Sequence, residues 1–497
     1  MPLSRTRMPR RLALTATLAL ILLALSAARA SADDCVALGG ALVSGECQVS
    51  AAVTASDALH GGVPFVLNET LRITGSGSIT IPPAAGASLT IKITGDFILD
   101  APTTTGRSRI IGDVSTATAI GATITIDASG SILLNGSGAA GARISSDQTG
   151  GSCAGGGGGN ITLTAGTTVT TEKGSRITSV AKCPGGEIII TAGLGATIEG
   201  VVLSEGTSTL GRGGPITITG GCELTIGDSG EVVSKGRDPG ADLVHLEGGC
   251  SVLIHGLVSS TGPGHRTPLQ NRCNPPDRPG KPDEAPACVE VWSGGTIIVD
   301  RAAHTGEIDV DTAASGGTRC CAWIDLFAAG DIKILGSATS AVFAVHANQM
   351  VTNAFGGLIT IVSTEGHVAA SGRAIQANAT TGGGHGGTVT IDAKHDVTLD
   401  DAVISAKGDA TPTYGFGGLV EVRSYGSAVT WANVPGGLAA SGDVQPTGDG
   451  VAAANRGAID CPDDIYNTAQ VTATNDASPS NNKSGPVKID VDKYYGW

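Results

Sequence analysis

Gly213-Gly214-Pro215-Ile216-Thr217-Ile218-Thr219-Gly220-Gly221-Cys222-Glu223-Leu224-Thr225-Ile226-Gly227-Asp228-Ser229-Gly230-Glu231-Val232-Val233-Ser234 sets three short apolar alternations between glycine-rich breaks. Apolar residues alternate with Thr or Glu, the period of a strand with one buried side. None of the three runs is long enough for a helix, and each ends at Gly. Residues 388–406 repeat the scheme with Thr388–Asp392, Asp396–Leu399 and Ala402–Ala406. Three short strands joined by glycine-rich corners make one turn of a coil.

The unit recurs along the chain. First strands are expected near 90, 123, 160, 187, 215, 243, 290, 322, 358, 388 and 419, and the single long interval, 243 to 290, carries an insertion. Gly-Gly precedes many of them, as at Gly158-Gly159, Gly185-Gly186, Gly213-Gly214, Gly356-Gly357, Gly386-Gly387 and Gly417-Gly418. A nearly constant period of this size is the mark of stacked repeats. Stacking pairs each strand with its equivalent in the next turn, in parallel, around a shared apolar interior. The expected fold is therefore all-β, a right-handed parallel β-helix of about eleven coils.

The composition agrees. Of 497 residues, 75 are Gly, while Phe, Tyr and Trp together make 3%. A narrow interior filled by Ile, Val and Leu has little room for large rings, and Gly supplies corners with φ > 0. Collagen is excluded because Gly does not recur every third residue.

The expected organisation is a signal peptide at 1–32, an N-terminal cap at 33–88, the β-helix at 89–435 and a C-terminal cap or tail at 436–497. Arg5, Arg7, Arg10 and Arg11 precede an apolar run from Leu12 to Ala28, and Ala30-Ser31-Ala32 offers a cleavage site. The chain is thus expected to be exported, to the extracellular space, the cell surface or the periplasm, with no membrane span after processing. Without the leader, 26 basic residues face 45 acidic ones. That balance disfavours nucleic acid as a partner. The segment 263–287 is rich in Pro and reads as an excursion from the coil.

Eleven Cys in an exported chain point to disulfides. Cys222 and Cys250 follow Gly-Gly at equivalent places 28 residues apart, so stacking brings them within bonding range. Cys35 with Cys47 is expected to close an N-terminal hairpin. Cys153 and Cys183 lie in neighbouring returns. Cys273 and Cys288 stand on either side of the excursion's neck.

Gly386-Gly387-Thr388-Val389-Thr390-Ile391-Asp392-Ala393-Lys394-His395-Asp396-Val397-Thr398-Leu399 and Gly159-Asn160-Ile161-Thr162-Leu163-Thr164-Ala165-Gly166 resemble coils of filamentous-haemagglutinin-type adhesins and autotransporter passengers. The resemblance covers the repeat region alone and implies a β-helix at a cell surface. The dedicated secretion domain or C-terminal barrel usual in those families is not evident here.

Three groups of residues are candidates for chemistry. Glu307-Ile308-Asp309-Val310-Asp311 places three carboxylates on one outward side if Ile308 and Val310 point inward. Such a face suits catalysis on acidic polysaccharides with Arg301 and Lys333 as cations, or Ca²⁺ with Asp309 and Asp311 as ligands. Asp300, Asp325 and Asp331 are expected to stack nearby. The plainer reading is a solvated polar strand. The aromatics concentrate after residue 290, where Trp292, Trp323, Tyr414 and Phe416 are candidates for stacking on sugars. Repeated Thr-x-Thr pairs suggest an ice-binding face, but His245/Glu247 interrupts them.

Two functions remain in view. The first is an exported, adhesin-like rod with a binding or structural role, glycans and neighbouring surface molecules being the expected partners. The second is a polysaccharide lyase or glycoside hydrolase working through a carboxylate face.

Overall fold

The computed structural model describes residues 34–101, 107–116, 118–136, 141–150, 156–208, 211–236, 242–261, 288–311, 322–350, 356–379, 386–406 and 418–424, with short strands at 429–432, 444–445 and 487–491. Residues 1–33 and 262–287, Cys153, Cys273, Tyr414 and Phe416 lie outside the described residues.

Nearly every described element is a strand, and successive strands stack in parallel to form a β-helix. Each coil contributes one strand to each of three faces. The first face is a 13-stranded sheet, while the second and third belong to a 25-stranded sheet that bends at their common corner. The eleven expected first strands are all present, for example Thr123–Ala128, Ile161–Ala165, Ile188–Ala192, Ile216–Gly220 and Leu358–Ser363. Two more extend the stack, Phe65–Leu67 before them and Val487–Val491 after them. The coil therefore begins inside 33–88. Only the antiparallel hairpin of Ala41–Val43 and Glu46–Val49 departs from the parallel order there.

Alternation within each strand decides what is inside. On the first face Ile124, Ile161, Ile188, Ile216 and Val244 form one inward column, and Ile126, Leu163, Ile190, Ile218 and Leu246 a second. All ten are fully buried. Each buried aliphatic side chain contributes roughly 1.5–3 kcal/mol relative to exposure. The second face adds Phe97, Ile132 and Val169, and the third adds Ile110, Ile144 and Ile177. The interior is one continuous apolar cluster.

The Gly-Gly pairs have a different cause from the one expected. Among the described glycines, positive φ is confined to eight, five of them between Gly39 and Gly75. The repeat glycines serve close approach between coils. A Cβ on Gly186 would lie 2.3 Å from the Gly159 carbonyl oxygen, and one on Gly418 would lie 1.9 Å from that of Gly387. A column of inward serines seals the same corner. The Ser179 hydroxyl donates to the Gly159 carbonyl and accepts from the Gly186 N–H. Ser204 repeats this with Gly186 and Gly214.

Among the described residues two disulfides are present, Cys35–Cys47 and Cys222–Cys250, the second joining equivalent corners of adjacent coils with Cα atoms 4.5 Å apart. Cys288 is a buried free thiol, not one end of a bridge to Cys273. It opens a first-face strand between Leu243 and Trp323 of the adjacent coils, and burial pushes its pKa well above the ordinary thiol value. Among the described residues, no helix is long and apolar enough to cross a membrane.

Candidate functional site

The interior columns are nearly uniform, so individuality lies on the outward sides. The first face is lined by Thr over several coils, with Thr125, Thr162 and Thr217 at equivalent positions and Ile189 interrupting. Over the next three coils the lining changes. Thr217 and Thr219 give way to His245 and Glu247, then to Glu290 and Trp292, then to Asp325 and Phe327. Thr returns at Thr360. The inward Val244, Val289 and Ile324 continue undisturbed. The fold makes no demand for this change, because the outward residues do not touch the core.

Trp292 and Phe327 are 40% and 42% exposed, with ring centroids 5.9 Å apart on adjacent coils. His245 meets Trp292 edge-on at 5.8 Å. Carboxylates sit alongside. Glu290 Oε2 lies 3.2 Å from His245 Nδ1, and Asp325 Oδ1 accepts a 2.7 Å hydrogen bond from Trp323 Nε1. Burial raises the Asp325 carboxyl to about 6, with the charge of Glu290 adding to it and the bonds from Trp323 and Thr360 opposing. Trp323 is 8% exposed and holds Asp325, so it offers no open ring to a ligand. The result is an apolar two-ring platform edged by acids and an imidazole.

The acids at 307, 309 and 311 belong to another face. They lie on and just after the third-face strand Glu307–Asp309, with Ile308 and Val310 fully buried, as the alternation requires. Their surroundings are not a solvated surface. The next coil places His346 directly beside Asp309 in the ladder. His346 Nε2 is 2.9 Å from Glu307 Oε1, and Nδ1 is 2.9 Å from Asp311 Oδ1 and 3.5 Å from Asp309 Oδ1. Arg301 pairs with Glu307 from the preceding turn. Asn348 donates its N–H to Asp311 Oδ1 at 2.8 Å and its side-chain amide to Gln376 Oε1 at 2.9 Å. Asn378 then donates its N–H to Asn348 Oδ1, and the Ser405 hydroxyl donates to Asn378 Oδ1. One polar ladder thus stitches successive coils.

Burial opposes charge on His346, yet its bonds to Asp311 and Glu307 and the charges of Asp311 and Asp309 raise it to about 10. Burial raises Asp309 to about 6, against the attraction of His346. Burial likewise works on Glu307, but His346 and Arg301 outweigh it and hold the carboxyl below its ordinary value. Asp309, Asp311 and His346 bring ligand atoms within 4.8 Å of one another, as a metal site would. A protonated imidazole has no lone pair to offer, so metal would have to displace the proton and both hydrogen bonds.

Three expected neighbours lie elsewhere, one of them Asp331, which immediately precedes the second-face strand Ile332–Leu335 and accepts the His367 N–H. Lys333 is on the second face, beside Ile298 and Ala369 in the ladder, and does not join the three acids. Asp325 is on the first face. The cations that do join them are Arg301, on Glu307, and His346, 35 residues beyond Asp311. The sequence signal of His346 is Val345-His346-Ala347-Asn348, an alternation too short to read without knowing the preceding turn's length.

No family model matches this chain, and no curated protein or solved structure matches it either.

Proposed function

We propose that this chain is an exported β-helix protein that binds glycan on its first face, across His245, Glu290, Trp292, Asp325 and Phe327. The observation that carries this reading is the exposed Trp292–Phe327 pair on adjacent coils, edged by carboxylates. Sugar rings present C–H faces that stack on aromatics, and hydroxyls that bond to carboxylates and imidazole. Parallel stacking spaces equivalent outward groups about 4.8 Å apart along the rod. Such a surface suits an extended polysaccharide better than a compact ligand. Export is supported by the leader-like first 32 residues and by two disulfides. The adhesin-like role rests on the same surface.

The test is affinity electrophoresis of the full chain through gels containing neutral and acidic polysaccharides, beside Trp292→Ala and Phe327→Ala. Retention by at least one polymer, weakened in both variants, supports the reading. Equal mobility of all three proteins in every gel overturns it.

An enzymatic reading has one observation in its favour. Asp325, pushed up to about 6 by burial, stands beside Glu290 in the ladder, and acid–base catalysis needs a carboxyl that keeps its proton with a second carboxyl close by. Appearance of new reducing ends or unsaturated uronide absorbance, abolished by Asp325→Asn, would move the assignment from binding to cleavage.

A further inference from the structure

From the corner between the second and third faces, we infer a second site: Asp228, His255 and His304 form a binding site for a divalent transition-metal ion such as Zn²⁺. The three residues occupy the same corner of three successive coils. Asp228 follows the second-face strand Glu223–Ile226, His255 follows Ser251–Ile254, and His304 lies in the turn after Thr296–Asp300. Those strands are register partners, Glu223 beside Ser251 and Ser251 beside Thr296. Their corners therefore stack.

The turn lengths bring the side chains together. His255-Gly256 crosses the corner in two residues, whereas 301–306 takes six and folds back over the coils before it. Thr305 anchors that return. Its N–H donates to the His255 carbonyl at 3.0 Å, and its hydroxyl lies 2.9 Å and 3.0 Å from the carbonyls of His255 and Asp228. Gly256 permits the crowding, since a Cβ there would meet the carbonyl oxygens of Gly227 and Gly230, each at 2.3 Å.

The side chains then converge. The imidazoles of His255 and His304 are stacked, with centroids 4.0 Å apart and planes 9° from parallel. His304 Nδ1 is 2.8 Å from Asp228 Oδ1. All three offer ligand atoms within 4.8 Å of one another. Among the described residues, the ring nitrogens of His255 make no hydrogen bond to protein. Asp300 stands at the other edge of His304, Oδ2 4.0 Å from Nε2, where it can hold the ring's orientation. Asp228 is 62% exposed, so an ion has access from solvent.

The donor set names the ion class. Two imidazoles and one carboxylate suit Zn²⁺, Ni²⁺ or Cu²⁺, with water in the remaining position. Ca²⁺ and Mg²⁺ require oxygen ligands. The His346 cluster differs in offering a single imidazole, both nitrogens of which are already engaged by carboxylates.

The experiment is calorimetric titration of the chelator-treated full chain with Zn²⁺, beside His255→Ala, His304→Ala and Asp309→Asn. Expected is one equivalent bound by the unmodified chain and by Asp309→Asn, unaffected by excess Ca²⁺. His255→Ala and His304→Ala each weaken binding by more than about a hundredfold, beyond the loss typical of an outer-shell partner. Thermal melts with and without Zn²⁺ show whether the variants are folded. His304→Gln, which keeps a polar side chain in the turn, replaces the alanine variant if that one melts early. Absence of binding, binding that survives both histidine substitutions, or loss confined to Asp309→Asn overturns the site.

Discussion

His346 and Asp309 are partners on adjacent coils of the third face, with His346 Nδ1 3.5 Å from Asp309 Oδ1. One imidazole answers three carboxylates, because Glu307 and Asp311 flank Asp309 on the same outward side. Replacing His346 by Ala leaves those acids largely buried with Arg301 as their remaining close cation. Breaking a buried ion pair from one side costs about 3–5 kcal/mol. Urea denaturation of His346→Ala should show a loss of this size with the β-rich circular dichroism retained in native buffer.

The same cluster sets a pH dependence. The imidazole is raised from its ordinary 6.5 to about 10, so the folded chain holds a proton there that the unfolded chain releases earlier. Its stabilisation is complete below 6.5 and is lost as pH rises towards 10. Asp309, raised from 3.8 to about 6, has the same sign in the lower window. The urea midpoint should therefore fall between pH 6.5 and 10, and His346→Ala should flatten that slope. A midpoint that rises with pH in the unmodified chain would refute this account.

Cys222–Cys250 closes a loop of 28 residues between adjacent coils. Chain-entropy reasoning puts the effect of such a cross-link at about 3–4 kcal/mol. Peptide mapping without reductant should recover the 222–250 and 35–47 links. Cys222→Ser with Cys250→Ser should lower the denaturation midpoint accordingly.

Gly186 has no room for a side chain, its nearest neighbour being the Gly159 carbonyl oxygen of the previous coil. Gly186→Ala should destabilise by about 1–3 kcal/mol through overpacking. Gly45 has open space around it but a φ of +84°. Gly45→Ala should cost about 1–2 kcal/mol for a conformational reason instead. Crystal structures of the two variants separate the causes: separation of the coils at 186, and no displacement of neighbouring strands at 45.

Trp292 and Phe327 touch no part of the core, so Trp292→Ala should leave the melting temperature nearly unchanged. An aromatic contact of about 0.5–1.5 kcal/mol predicts glycan affinity lowered by about 2- to 13-fold. Binding isotherms on the polysaccharide retained in affinity electrophoresis check this value.

The alternation of Ile, Val and Leu with Thr determined the strands, their inward residues and the parallel stacking, because those depend only on local period and a shared interior. The spacing of Cys222 and Cys250 was legible for the same reason, since the intervening coil has no insertion. What only the tertiary structure decided is which outward groups meet. His346 reaches Asp311 from 35 residues away, and His304 reaches Asp228 from 76. Asp325 and Asp309 stand on different faces although 16 residues apart. Period 2 tells whether a residue points out, but turn length decides over which neighbour it stands. Turns here vary from two residues to long insertions with no repeating pattern. The cause of the glycines was hidden likewise, for nothing in Gly185-Gly186 distinguishes a bend in the chain from the backbone of the coil beneath it.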